Sequence, residues 1–169
     1  MTVDETVPTF SGGWGHASGL VDLGVALVPA DVQGLADRLA IEQVIRAWGW
    51  SIDEGRFDFL RTLLTEEVAL TGCIASGALF DPLIGREVLV PWLEDFMAGR
   101  DDQLRHQIGN IVVSQQSATE ITALAYLTLM SSTIEGTRIL ATAFYRFSMV
   151  KQDGAWRIDA AYVGFDTAF

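Results

Sequence analysis

The chain has 169 residues, half of them hydrophobic, and a net charge of -11. Its length predicts one domain able to bury a sizeable core without disulfide staples, and its acidity argues against nucleic acid and against an anionic membrane surface, both of which require basic patches. Cys73 is the only cysteine and His16 and His106 are the only histidines, so no internal disulfide and no zinc cluster is expected.

Residues 1–30 are rich in Gly, Ser and Pro and hold no persistent period, which predicts an irregular arm. Its apolar residues, among them Phe10, Trp14, Leu20 and Val21, predict that it packs on its own domain or on a neighbouring subunit. "SGGWG" lacks the lysine and following helix of a phosphate-binding loop. The first basic residue is Arg38, so no signal peptide is expected, and no apolar stretch approaches the length of a membrane span. A cytoplasmic location fits these features.

The remaining residues, 31–169, are read as one α+β domain. A helix is expected from Asp31, a cap residue, to Glu54, with Gly55 as its stop. Its apolar stripe is read as Leu35, Leu39, Ile45, Trp48 and Ile52. Trp48 and Trp50, two apart, point to different sides of it. A short helix over 57–64, a strand near 68–73, a loop at "FDPLIG" and a third helix over 86–97, with Val88, Trp92 and Phe96 in line, follow. Four strands are then expected near 106–115, 120–132, 137–151 and 155–165, joined by the turn signals "QQSAT", "TIEG" and "KQDG" and therefore antiparallel. Helices first and a meander afterwards predict a curved sheet wrapped over a long helix.

The stretch "LRHQIGN" carries the residue of greatest chemical interest, His106. Strict alternation places His106, Ile108 and Asn110 on one side of a strand. An imidazole takes up and returns a proton near neutral pH, so His106 is either a base facing a pocket or a solvated residue at a strand start. Asp53 is either a base-supporting carboxylate or an ordinary helix-end acid; a carboxylate at a helix C-terminus is opposed by the macrodipole. Trp48 suits core packing or a flat pocket wall, Tyr126 and Tyr145 are either phenolic donors or wall residues, and Asn110 could bind a developing enolate oxygen. Cys73 reads as a small buried hydrophobe.

The order of these elements, with "DRLAIEQVIRAWGWSIDEGRFDFLRTLLTEEVAL", "LIGREVLVPWLEDF", "LRHQIGNIVV" and "GAWRIDAAYV", resembles the nuclear transport factor two-like superfamily, and within it the SnoaL-like polyketide cyclases and the scytalone dehydratase type. The resemblance implies a cone-shaped fold around an apolar cavity, with Asp53 and His106 facing each other inside it. It implies a lyase or isomerase, acting as cyclase, dehydratase or isomerase on a small apolar oxygenated substrate such as a polyketide intermediate; with no plausible ligand cluster and no phosphate-binding glycine motif in the sequence, no metal and no organic cofactor are expected. Ile52 stands where the dehydratase has a tyrosine, and Thr71-Gly72 where the ketosteroid isomerases have a carboxylate. The alternative is a non-catalytic member of the fold, such as a ring-hydroxylating dioxygenase small subunit. The apolar arm and the open side of a curved sheet predict a homodimer or larger homo-oligomer.

Overall fold

The structure is a computed structural model that describes residues 13–23, 29, 31–74, 77–78 and 80–168. Most of residues 1–30, including Phe10, lies outside the described residues. Of the described part, Trp14–Ala17 forms a single helical turn, α1.

Helix α2 runs Val32–Asp53. It begins where expected because the Asp31 side chain accepts from the Gly34 N–H at 2.7 Å. It stops just before Gly55, whose left-handed φ of +61° favours glycine. Its buried face is Ile41, Ile45, Trp48 and Ile52. Leu35 and Leu39, expected in that stripe, are exposed. Leu39 precedes Ile45 by six residues, about 240° around a helix axis, hence on the far side. The helical first half continues with α3, Phe57–Thr62. After strand β1, Leu64–Ile74, the stretch expected as a loop carries two short strands, β2 (Gly77–Ala78) and β3 (Leu83–Ile84). Both pair with β1. Helix α4, Arg86–Ala98, buries Leu89, Val90 and Leu93 rather than the Val88–Trp92–Phe96 line.

The long meander follows as expected: β4 (Gln103–Gln116), β5 (Glu120–Thr133), β6 (Gly136–Gln152) and β7 (Ala155–Phe165). The last turn has Asp153 and Gly154 both at positive φ, the geometry that suits a tight hairpin. The sheet order is β2-β1-β7-β6-β5-β4, with β1 parallel to β7 and the meander antiparallel. This is the expected α+β architecture, a curved sheet with helices against its inner face. The core lies between α2, α4 and that inner face, where Trp48 meets Phe147 edge-on at 6.3 Å.

On the outer face Trp14 packs on Phe144 with ring centroids 5.2 Å apart, and its indole N–H donates to Asp166 Oδ1 at 2.8 Å. Gly164 makes room for this layer: a Cβ there would sit 2.5 Å from the Phe144 ring. The described part of the arm thus packs on its own domain. His16 is exposed, while Cys73 is buried. Among the described residues, no helix is long and apolar enough to cross a membrane.

Candidate active site

The C-terminal end of α2 meets the start of β4. Gly49, in mid-helix, makes the approach possible, since a Cβ there would lie 2.9 Å from the His106 Cβ and 3.2 Å from Ile108 Cδ1. Next to this contact, Asp53 is clamped by the strand. Its Oδ2 accepts from the His106 backbone N–H at 2.7 Å, and its Oδ1 lies 2.6 Å from His106 Nδ1. Its own backbone carbonyl, one of those left unpaired at a helix end, accepts from Gln103 Nε2 at 2.9 Å. Both side chains are almost wholly withdrawn from water, at 9% exposure for His106 and 6% for Asp53.

A carboxylate only accepts hydrogen bonds. With Asp53 ionised, Nδ1 therefore carries the ring proton, and the lone pair is left on Nε2. No hydrogen bond occupies Nε2 among the described residues. The pair is thus an oriented imidazole with its far nitrogen available.

His106 lines a cavity of about 330 Å³, partly open to solvent, between α2, α4 and the sheet. Trp48, Ile52, Leu70, Tyr145 and Phe165 contribute to its predominantly apolar wall. Ile52 supplies hydrocarbon where a tyrosine stands in the dehydratase pattern, and Thr71 and Gly72 are not among the lining residues. Phe80, Trp92 and Phe96 from the β2–β3 region and α4 form an aromatic row along one side. On its outer side the pair borders a second, more polar hollow of about 350 Å³ that includes Arg46, Trp50 and Arg105.

Tyr145 is buried beside the pair. Burial pushes its phenol up to about 12, with the Asp53 charge adding to the rise and the Trp48 indole N–H opposing it. Tyr145 therefore stays a neutral O–H donor at physiological pH. The Trp48 Nε1 atom is buried without a hydrogen-bond partner of ordinary geometry. Its N–H acts on Tyr145 only as a weak neighbouring dipole.

The site residues read from the sequence thus divide. Asp53, His106, Trp48 and Tyr145 come together. Asn110 and Tyr126 do not: both are exposed and neither lines the cavity. For Asn110 the reason is a bulge in β4; Tyr126 is outward by the plain alternation of β5, whose alternate residues Ile121, Ala123, Ala125, Leu127 and Leu129 are buried. Gly109 pairs with Tyr126 and Val112 with Leu124, so Asn110 and Ile111 together oppose the single residue Ala125. Asn110 takes the left-handed φ of 51° that the bulge needs. The extra residue reverses the inward parity from even (Leu104, His106, Ile108) to odd (Val113). Tyr126, opposite Gly109, falls on the outer face. Trp50 is exposed, as its two-residue offset from Trp48 requires. Gly49, Gln103 and Arg100 escaped the sequence reading. Only Gly49 carried a signal, since a glycine inside a strongly patterned helix calls for a packing reason.

The profile of the SnoaL-like domain family matches residues 33–161. The chain belongs to the SnoaL-like family. No curated protein matches it significantly. Solved structures similar to this SnoaL-like protein include one from Catenulispora acidiphila, 20% identical, covering 80% of this chain and 95% of its own, with a TM-score of 0.69. Another is the β subunit of a candidate aromatic-ring-hydroxylating dioxygenase from Novosphingobium aromaticivorans, at 19% identity, 82% and 94% coverage and a TM-score of 0.68. A third is a candidate scytalone dehydratase from the same organism, at 20% identity, 78% and 85% coverage and a TM-score of 0.66. At these identities the likeness is one of fold alone.

Proposed function

We propose that this SnoaL-like protein is a cofactor-independent acid–base enzyme, a cyclase, dehydratase or isomerase acting on a small apolar oxygenated molecule such as a polyketide intermediate. The observation that carries the proposal is the buried Asp53–His106 pair, with Nδ1 held at 2.6 Å, the imidazole lining an apolar cavity, and no hydrogen bond to Nε2 among the described residues. His106 Nε2 takes a proton from the carbon next to a substrate carbonyl. Asp53 keeps the ring in one tautomer and stabilises the imidazolium that forms. Tyr145, protonated throughout, donates to the oxygen on which negative charge develops. The imidazolium then returns its proton, to a leaving hydroxyl in a dehydration or to carbon or oxygen in an isomerisation or ring closure. Trp48 and Ile52 supply the dry wall that strengthens these interactions.

Fold likeness to a dioxygenase β subunit offers a non-catalytic alternative. An unfilled cavity bordered by an oriented imidazole favours the enzyme, because a purely structural subunit has no use for either. The test is turnover of a panel of β-hydroxycarbonyl and poly-β-keto compounds by the wild-type chain and by His106→Ala, Asp53→Asn and Tyr145→Phe. Loss of the positioned base is expected to lower kcat about 10²–10⁴-fold. The His106→Ala and Asp53→Asn effects should be far from additive, since the two residues act as one unit. Equal turnover by wild type and the folded His106→Ala variant would overturn the proposal.

A further inference from the structure

One charged side chain outside the proposed acid–base machinery also lines the cavity. Arg100 follows α4, and its guanidinium sits 5.4 Å over the Phe96 ring. Phe96 stacks on Trp92 at 5.8 Å with nearly parallel rings, and Phe80 packs on Trp92 at a tilt, also at 5.8 Å. Arg100 is held rigidly. Its Nε and Nη2 donate to the two oxygens of Asp102, both at 2.7 Å. Asp102 in turn accepts from the Ser131 hydroxyl on β5. The Arg100 guanidinium, with help from Ser131, keeps the Asp102 carboxyl down at about 2, so this counter-charge is permanent across the physiological range.

Only one edge of the guanidinium is used by this lock. A guanidinium has five N–H donors in a fixed fork, and Nη1 makes no hydrogen bond to any described residue. No carboxylate lines the cavity. Asp53 stands behind His106 and Asp102 behind Arg100, with both oxygens of each already engaged. The chamber is therefore lined by a pre-oriented cation with a spare donor edge, an aromatic row beside it and the Asp53–His106 pair elsewhere in the same wall. Arginine does not lose its proton and matches a carboxylate in shape. Hydrogen bonds to an ionised acceptor are roughly twice as strong as neutral ones, and the surrounding hydrocarbon strengthens them further.

We propose that Arg100 is a substrate-binding residue that selects for a carboxylate, so that the ligand of this cavity is an aromatic or fused-ring carboxylic acid rather than a neutral ring compound. The proposal rests on reading this cavity as the substrate chamber, but it concerns binding and is tested without turnover. In the complex, the ring system lies along Phe80, Trp92 and Phe96, and the carboxylate accepts from the free edge of Arg100 while Asp102 keeps the other edge.

The probes are 2-naphthoate and its neutral isostere 2-naphthamide. Binding to the full chain is measured by calorimetry and by quenching of tryptophan fluorescence, to which Trp48 and Trp92 in the cavity wall respond. Wild type should bind the carboxylate about tenfold or more tightly than the amide, a preference that falls as salt is raised. Arg100→Gln should remove the preference while leaving amide binding within about threefold, and Arg100→Lys, which keeps the charge but not the fork, should retain only part of it. His106→Ala should leave the preference in place, which separates failure of the acid–base reading from failure of this one. Equal binding of the two probes by wild type, binding of neither at millimolar concentration, or a preference that survives Arg100→Gln would overturn the proposal. So would a preference lost in His106→Ala instead. Should Arg100→Gln not fold, as judged by circular dichroism, Arg100→Lys and the salt dependence decide by the same criteria.

Discussion

Replacing Gly49 by alanine sets two effects of opposite sign against each other at the site. Alanine is favoured over glycine inside a helix by about 1 kcal/mol. The new Cβ, however, would stand 2.9 Å from the His106 Cβ, an atom fixed to the β4 backbone, and 3.2 Å from Ile108 Cδ1. Carbon atoms in ordinary contact are about 3.5–4.0 Å apart, so β4 must retreat by about 0.6–1 Å. Overpacking of this kind typically costs about 1–3 kcal/mol. The retreat also pulls on the bonds from His106 to Asp53, now 2.6 and 2.7 Å long, and would stretch them beyond about 3.2 Å, where hydrogen bonds weaken. Bonds to a charged group contribute about 1.5–3 kcal/mol each, so partial loss of two of them outweighs the helix gain. The expected net loss is about 1–3 kcal/mol, read as a lower midpoint in urea denaturation. It should be accompanied by an upfield shift of the His106 Nδ1 proton resonance and by reduced turnover. A Gly49→Ala chain as stable as wild type, with that resonance unmoved, would refute the reasoning.

Trp14→Ala should free the arm from the sheet, since it removes both the Phe144 contact and the bond to Asp166; limited proteolysis should then cut within residues 13–23, and unchanged protection would count against the docking described. Asp102→Asn should flatten the acid limb of the stability curve. The folded carboxyl titrates at about 2, below its ordinary value of 3.8, so its stabilisation is complete above about pH 4 and is lost as pH falls toward 2; thermal melts of wild type and variant that change in parallel over that window would refute this. Light scattering should show at least a dimer at micromolar concentration, because Tyr126 and Ile139 leave apolar surface on the sheet; a strict monomer would refute self-association.

Local signals in the sequence determined the long elements and their order, though not the short α1, β2 and β3. The Asp31 cap, the Gly55 stop and the Asp153-Gly154 turn each act within a few residues, so each was legible without the rest of the chain. The juxtaposition of Asp53 with His106 was legible only through the family resemblance, because the two residues are far apart in sequence and meet through packing of a helix on a strand. Asn110 illustrates what the tertiary structure alone decided. Alternation assigns faces correctly until one residue is added to a strand, and the bulge at Asn110 and Ile111 follows from how β4 curves against β5. The same holds for Arg100. Nothing in "AGRDD" distinguishes it from a solvated charge; its place on the cavity follows from the lock that Asp102 and Ser131 form, which exists only when the chain leaving α4 packs against the end of β5.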